Sequence, residues 1–207
     1  SSFSIGTLVH VIPKRLDLKL DLSTATRFPN VDELYMLGSA PTFPVYATGH
    51  PDLGTETVWN SSLTAGLRTD LVEAEGSVYG QHVNDYIYFA PELNDSGEPR
   101  FDVTIQGTWP SWGFQPIDAT FYGFDGSVNL GPYSPVGLKV LGGLVRAEDR
   151  DTGDQLIGTP ADHVKVALLG RIPPTGAMQK VELHVSSEVV ASQSRVEPSH
   201  DFAPPPP

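Results

Sequence analysis

Residues able to do chemistry are plentiful in this 207-residue chain: six histidines, 25 carboxylates and serines throughout. Their spacing argues against most of it. A hydrolase of the nucleophile-elbow type needs G-x-S-x-G, and GSVYG at 76–80 carries its serine one place too early. His10, His50, His82, His163, His184 and His200 are scattered, with no signature coupling any of them to a nucleophile. AEDRDTGDQ at 147–155 gathers Glu148, Asp149, Asp151 and Asp154 around Gly153, oxygen ligands that a hard cation such as calcium favours. The bidentate glutamate that closes a calcium loop is missing, so an acidic hairpin tip is the simpler reading. His82 and Asp85 supply two ligands, too few for a metal. Glycoside hydrolysis needs two carboxylates across a cleft, and among 25 acids some pair always qualifies. The glycines of GLKVLGGLV lack the ordered lysine and helix start of a phosphate loop. The expectation is a protein with no catalytic residues, no metal and no cofactor.

What remains is a concentration of rings. TWPSWGFQPIDATFYGF, residues 108–124, holds Trp109, Trp112, Phe114, Phe121, Tyr122 and Phe124 among two prolines and two glycines. TWPSWGFQP reads as a loop, because its prolines cannot donate to a ladder. Its rings either plug that loop or, as Trp109, Trp112 and Phe114, stand out for a ligand or receptor. In IDATFYGF, alternation puts Ile117, Ala119 and Phe121 on one face and Asp118, Thr120, Tyr122 and Phe124 on the other. DYIYFA similarly separates Ile87 and Phe89 from Tyr86 and Tyr88. Rings opposite a core face suit a second chain, so Tyr86, Tyr88, Tyr122 and Phe124 are the expected contacts of a homodimer.

The elements that would carry these residues are strands. In RLDLKLDLS, Leu16, Leu18, Leu20 and Leu22 share one face, and Asp17, Lys19 and Asp21 the other, a strand half buried and half wet. Residues 85–90, 100–107, 117–124, 163–169 and 180–190 repeat the pattern, with turn chemistry at 94–99, 131–135, 150–154 and 172–176. PNVDELYML is the best helical segment, and it is short. With 20 glycines and 19 prolines spread throughout, the fold class is all-β: a mostly antiparallel β-barrel or sandwich with long Gly/Pro-rich loops. One β-rich domain, 1–196, would precede a proline-rich flexible tail, 197–207.

Composition limits the partners. The net charge of −12 argues against nucleic acid and, on the same reasoning, against anionic membranes. No apolar run approaches the ~20 residues of a membrane-spanning helix, so no membrane insertion is expected. The absence of cysteine excludes disulfides and thiol chemistry.

An acidic, cysteine-free, all-β chain with SSFSIGTLVHVIP at its start, GTWPSWGFQPIDATFYGF in its middle and VEPSHDFAPPPP at its end resembles the astrovirus capsid spike, of the avian (turkey) type. That resemblance implies a loop-decorated β-barrel, paired as a homodimer on the virion surface and made in the host cytoplasm. Such a capsid protein would attach the virus to a host cell-surface receptor, protein or glycan, would be met by neutralising antibodies, and would perform no catalysis. The alternative from another class is a carbohydrate-binding module or β-jelly-roll glycoside hydrolase domain of a secreted enzyme, in which the tryptophans would stack on sugar.

Overall fold

The computed structural model describes residues 1–39, 44–105, 107–172 and 181–193. The expected tail at 197–207 and its boundary lie outside the described residues. The chain forms β1 (Ser2–Ile12), β2 (Leu16–Arg27), α1 (Val31–Tyr35), β3 (Leu37–Ser39), β4 (Tyr46–Thr48), β5 (Glu56–Arg68), β6 (Val72–Pro91), β7 (Phe101–Thr104), β8 (Gly107–Leu130), β9 (Val136–Asp149), β10 (His163–Ile172) and β11 (Val181–Val190). The fold is all-β and barrel-like. Eight long strands run β1-β2-β5-β6-β8-β9-β10-β11, each antiparallel to the next, an up-and-down meander.

The two ends of this meander differ. At one end, residues 13–15, 69–71 and 131–135 turn the chain back within a few positions. Thr69 closes the second of these turns, its Oγ1 accepting from the amides of Leu71 and Val72. At the other end the connections are long. Residues 28–55 carry α1, β3 and β4, and 150–162 join β9 to β10. There β6 and β8 also run on past their neighbours, β8 reaching 24 residues.

β8 corrects one expectation. TWPSWGFQP is strand throughout, not a loop. Its prolines are tolerated because of where their missing donors point. The Ile87 amide donates to Glu56 on the β5 side, so Ile87 and Pro116 form a non-hydrogen-bonded pair and the proline nitrogen faces away from β6. Ser111 makes the ladder bonds to Glu92 and Arg100, which leaves its neighbour Pro110 facing the other edge. On that other edge β4 pairs in parallel with Ser111–Gly113, so the 28–55 connection crosses from the β2 side to the far side of β8.

A register shift between Val83 and Tyr86 sets the faces of the extension. Asp85 takes φ 53°, and its amide donates to Asp118 Oδ1 at 3.2 Å. The bulge brings Tyr86 onto the same face as Phe121, where the two rings meet edge-on at 5.4 Å. Simple alternation from 85 to 90 does not carry that change of phase. Val83, Tyr88, Ala90, Ala119, Ala147 and Leu156 form the buried cluster here.

Below the extension, the sheet has two unlike faces. The first holds Leu18, Leu20 and Leu22 of β2, which pair with Ala65, Leu63 and Ser61 of β5. It continues through Val78, Phe124 and Leu144, then Val128, Val140 and Val166 on later strands. The second face holds Asp17, Lys19 and Asp21, then Thr64, Ser77 and Asp125. The expected half-buried leucine face is not buried: Leu20 is 46% and Leu22 is 45% exposed. The sheet is inverted relative to a water-soluble one.

Candidate functional site

The exposed apolar face is the first functional surface. On β5 it presents Trp59, Ser61, Leu63, Ala65 and Leu67; on β8, Tyr122, Phe124, Gly126, Val128 and Leu130. Each set spans nine residues and holds no charge on this face, which matches the roughly 9–11 residues a tilted strand needs to cross a bilayer. No other sheet or helix among the described residues covers this face, and Leu63, Val78, Phe124, Val128, Val166 and Leu168 stay open along it. On this face charge returns at the end that carries the long connections. There Arg146 forks onto Asp162 at 2.6 and 2.9 Å, and Glu148 accepts from Tyr122 and Gln155. Rings gather at the same level, with Phe3 and Trp59 on successive strands about the partner Thr24. An apolar band bordered by aromatic residues, with short turns on one side and long connections on the other, is the anatomy of a transmembrane β-barrel.

The opposite face is the lumenal wall. Asp17 binds His10 at 2.5 Å and Arg68 at 3.2 Å, and Lys19 pairs with Asp21 at 2.8 Å. Glu75, Asp125 and His163 line a recess of about 240 Å³ with Ser77 and Ser127. This segregation removes the argument drawn from net charge. The acids stand on the lumenal wall, in the connections and, as Glu148, at the end of the apolar band, so they do not oppose contact between the middle of that band and a membrane. The expectation of no membrane insertion is corrected on these grounds. Among the described residues no helix is long and apolar enough to cross a membrane, which does not bear on a crossing by strands.

At the outer mouth the connections are tied down by polar contacts. Arg27 Nη1 donates to both oxygens of Glu33 at 2.8 and 2.9 Å, and its Nη2 donates to Glu56 at 2.9 Å. The hydrogen bond to Glu56 raises the pKa of Arg27 above its ordinary value, against the lowering effect of burial. Glu33 also accepts from the Asn30 amide in the capping box that starts α1. Burial, with Glu56 nearby, pushes the Tyr86 phenol up. Tyr88 is buried, and its hydroxyl accepts from the Ile157 amide at 2.8 Å, folding the 150–162 connection onto the cluster. Tyr88→Phe should therefore loosen that connection by about 1 kcal/mol, read as roughly fivefold faster hydrogen exchange at Ile157.

The residues singled out from sequence are dispersed. Trp112 is buried and packs on Phe89 at 5.2 Å, and Phe114 touches the same ring at 4.7 Å. Trp109 pairs with Asp102 on β7 and is half-buried. Tyr86 and Tyr88 lie in the mouth cluster, stacked at 6.2 Å, while Tyr122 and Phe124 stand on the apolar face. The structure does not bring these four together. Asp149 is engaged by its own turn, Oδ1 accepting from Asp151 and Thr152 amides. Among the described residues no three His, Asp or Glu side chains are placed to hold a metal ion. The sequence reading missed Trp59 and all of β5, whose signal was the alternation of Trp59, Leu63 and Leu67 with Asn60, Ser62 and Thr64.

Comparison with known proteins agrees with the two-faced meander. The family model described as TonB dependent receptor-like, beta-barrel matches residues 2–178. The fold is similar to that of the copper transporter OprC, with TM-score 0.71 and 16% identity over 93% of this chain and 26% of that one. It is also similar to the siderophore receptor PirA from Pseudomonas aeruginosa, with TM-score 0.61 and 13% identity over 92% and 33%. The FrpB iron transporter from Neisseria meningitidis gives TM-score 0.58 and 12% identity over 90% and 26%. The chain thus spans about a quarter to a third of these structures. No curated protein matches it.

These findings overturn the astrovirus spike, and with it the virion location, host-cell receptor, neutralising antibodies and spike homodimer. They equally overturn the carbohydrate-binding module and jelly-roll hydrolase. An acidic all-β composition with a proline-rich end fits several architectures, and no segment quoted for the spike was diagnostic of one. The chain belongs to the TonB dependent receptor-like β-barrel family.

Proposed function

We propose that this chain forms eight consecutive strands in the barrel wall of a bacterial outer-membrane receptor that takes up a scarce metal ion or metal chelate in a TonB-dependent manner, without catalysis. The observation that carries the reading is the uncharged exposed band backed by a polar wall. That arrangement is useful only where lipid lies on one side and a solute path on the other. The short turns would lie on the periplasmic side and the long connections outside the cell, where α1, β3, β4 and β7 would meet the incoming solute. The lumenal carboxylates and imidazoles suit a cationic or chelated metal in transit. The solved neighbours named as copper, siderophore and iron proteins support the class of solute without choosing among them.

Fractionation of the native host should place the protein in the outer membrane, and unboiled samples should migrate faster in a denaturing gel than boiled ones. A strain lacking it should grow more slowly than its parent under iron or copper limitation and normally when the metal is replete. Recovery in the soluble fraction, without heat-dependent mobility, would reject the membrane reading.

A further inference from the structure

The net charge of −12 is not spread evenly over the molecule. Residues 27–56, 84–119 and 146–162 make up the outer mouth: the long connections, the strand ends beside them and the extension of β6 and β8. Together they hold 15 carboxylates, four arginines and no lysine, a balance of −11. The rest of the chain sets ten carboxylates against nine lysines and arginines. Exclusion of charge from the membrane band does not produce this difference, because it would move lysines into the connections as readily as acids. All five lysines lie elsewhere.

Each of the four arginines is already committed to carboxylates of the mouth itself. Arg27 holds Glu33 and Glu56 at 2.8 and 2.9 Å, and Arg100 holds Glu92 and Asp102 at 3.0 and 3.5 Å. Arg146 holds Asp162 at 2.6 Å, and Arg150 lies 3.6 Å from Asp118. The carboxylates in excess of these pairs include the exposed Asp95, Asp151 and Asp154. Leu156 packs with Ala119 in the buried cluster, and alternation along β8 gives Ala119 the same face as the lumenal Asp125. That contact draws the 150–162 connection, which carries Asp151 and Asp154, to the lumenal side of the wall. Among the described residues no three carboxylates or imidazoles are grouped to hold a metal ion, so what they supply is a field, not a cage. A mouth of one sign raises the rate at which counter-ions arrive by roughly 10- to 1,000-fold, and it repels solutes of its own sign.

We propose that the solute entering this mouth carries net positive charge, as a hydrated metal ion or a cationic chelate, and that the carboxylates draw it in by their summed field without ligating it. The inference rests on the uptake reading above and narrows it. Anionic chelates, in which the charge of the ligands outweighs that of the metal, are set aside.

The test uses the natural protein in its own host, with uptake taken as the difference between strains that carry the gene and one that lacks it. Radiolabelled copper(II) or iron(II) is supplied as its chloride alone, or with excess citrate, which makes the complex anionic. The parent should take up metal from the chloride, and excess citrate should lower that gene-dependent rate at least about tenfold, as expected for like charge at a steering mouth. Asp95→Lys, Asp151→Lys and Asp154→Lys combined remove two negative charges each, move the mouth from −11 to −5, and should slow uptake from the chloride at least about fivefold. The same three positions changed to Asn move it only to −8 and should slow uptake by an intermediate factor. Heat-dependent gel mobility checks that each variant is folded, and the Asn set carries the test should the Lys set fail to insert. A rate that rises or stays unchanged as negative charge is removed overturns the proposal, as does gene-dependent uptake of the citrate complex alone. Equal loss in the Asn and Lys sets overturns it too, since that result would mean ligation by these carboxylates. Equal uptake by the parent and the deletion strain from both sources fails the earlier reading instead.

Discussion

Leu63→Arg should destabilise the membrane-inserted protein by about 2–4 kcal/mol, whereas Thr64→Arg, one position on, should change it by less than about 1 kcal/mol. Leu63 lies midway along the uncharged band, paired with Leu20 and Val78 and 46% exposed. An arginine there must leave its charge in hydrocarbon or bend toward a distant headgroup. Thr64 points to the lumenal wall, where its hydroxyl bonds Ser77 at 3.0 Å and charged neighbours are normal. In a water-soluble sandwich the contrast has a different origin. Burying arginine in a core would be costly in any solvent, but Leu63 would then not be exposed. Urea titration of folding into phosphatidylcholine vesicles, followed by tryptophan fluorescence, gives both values. Equal small effects would mean that neither face meets lipid.

That pair also shows what the sequence could and could not convey. RLDLKLDLS specifies a strand with one apolar and one polar face, and the structure has that strand as β2. Alternation fixes which residues share a face, because side chains project to opposite sides of the pleat. It does not say what lies beyond either face. A soluble barrel points leucines inward, a membrane barrel points them outward, and the period is two in both. The discriminating signal was distributed over strands: nine-residue apolar sets repeated on β2, β5, β8 and β9, with turns of few residues at one end only. Net charge concealed it, since a sum over the chain cannot show that Asp17, Asp21 and Asp125 all stand on one wall. At the mouth the limit was local. The bulge at Asn84 and Asp85 reverses the phase of everything after it, so Tyr86 and Tyr88 join Phe121 instead of Tyr122 and Phe124. A single extra residue moved two of the four expected interface rings to the opposite side of the sheet.

Glu56→Ala should cost about 2–3 kcal/mol, confined to the outer connections. The Glu56 carboxylate is 7% exposed as a residue and serves two donors on different elements, Arg27 at the end of β2 and the buried Ile87 amide beside the bulge. Removing it strands that amide and leaves Arg27 to Glu33 alone. Because the Arg27 side chain is 39% exposed, water recovers part of the ionic loss, which keeps the figure below that of a fully buried pair. Glu33→Ala should cost less, about 1 kcal/mol, because Arg27 keeps Glu56 and only the start of α1 loses a cap. Both effects should be sub-global, since the transmembrane strands hold ladders that do not pass through these side chains. Hydrogen exchange should therefore show Ile87 and the 28–55 connection opening in Glu56→Ala, with amides of β5 between Ser61 and Leu67 unchanged. The mouth would then be a separately stable layer fastened by one carboxylate. Exchange rising equally throughout β5 would instead make Glu56 part of the barrel's own cooperative unit.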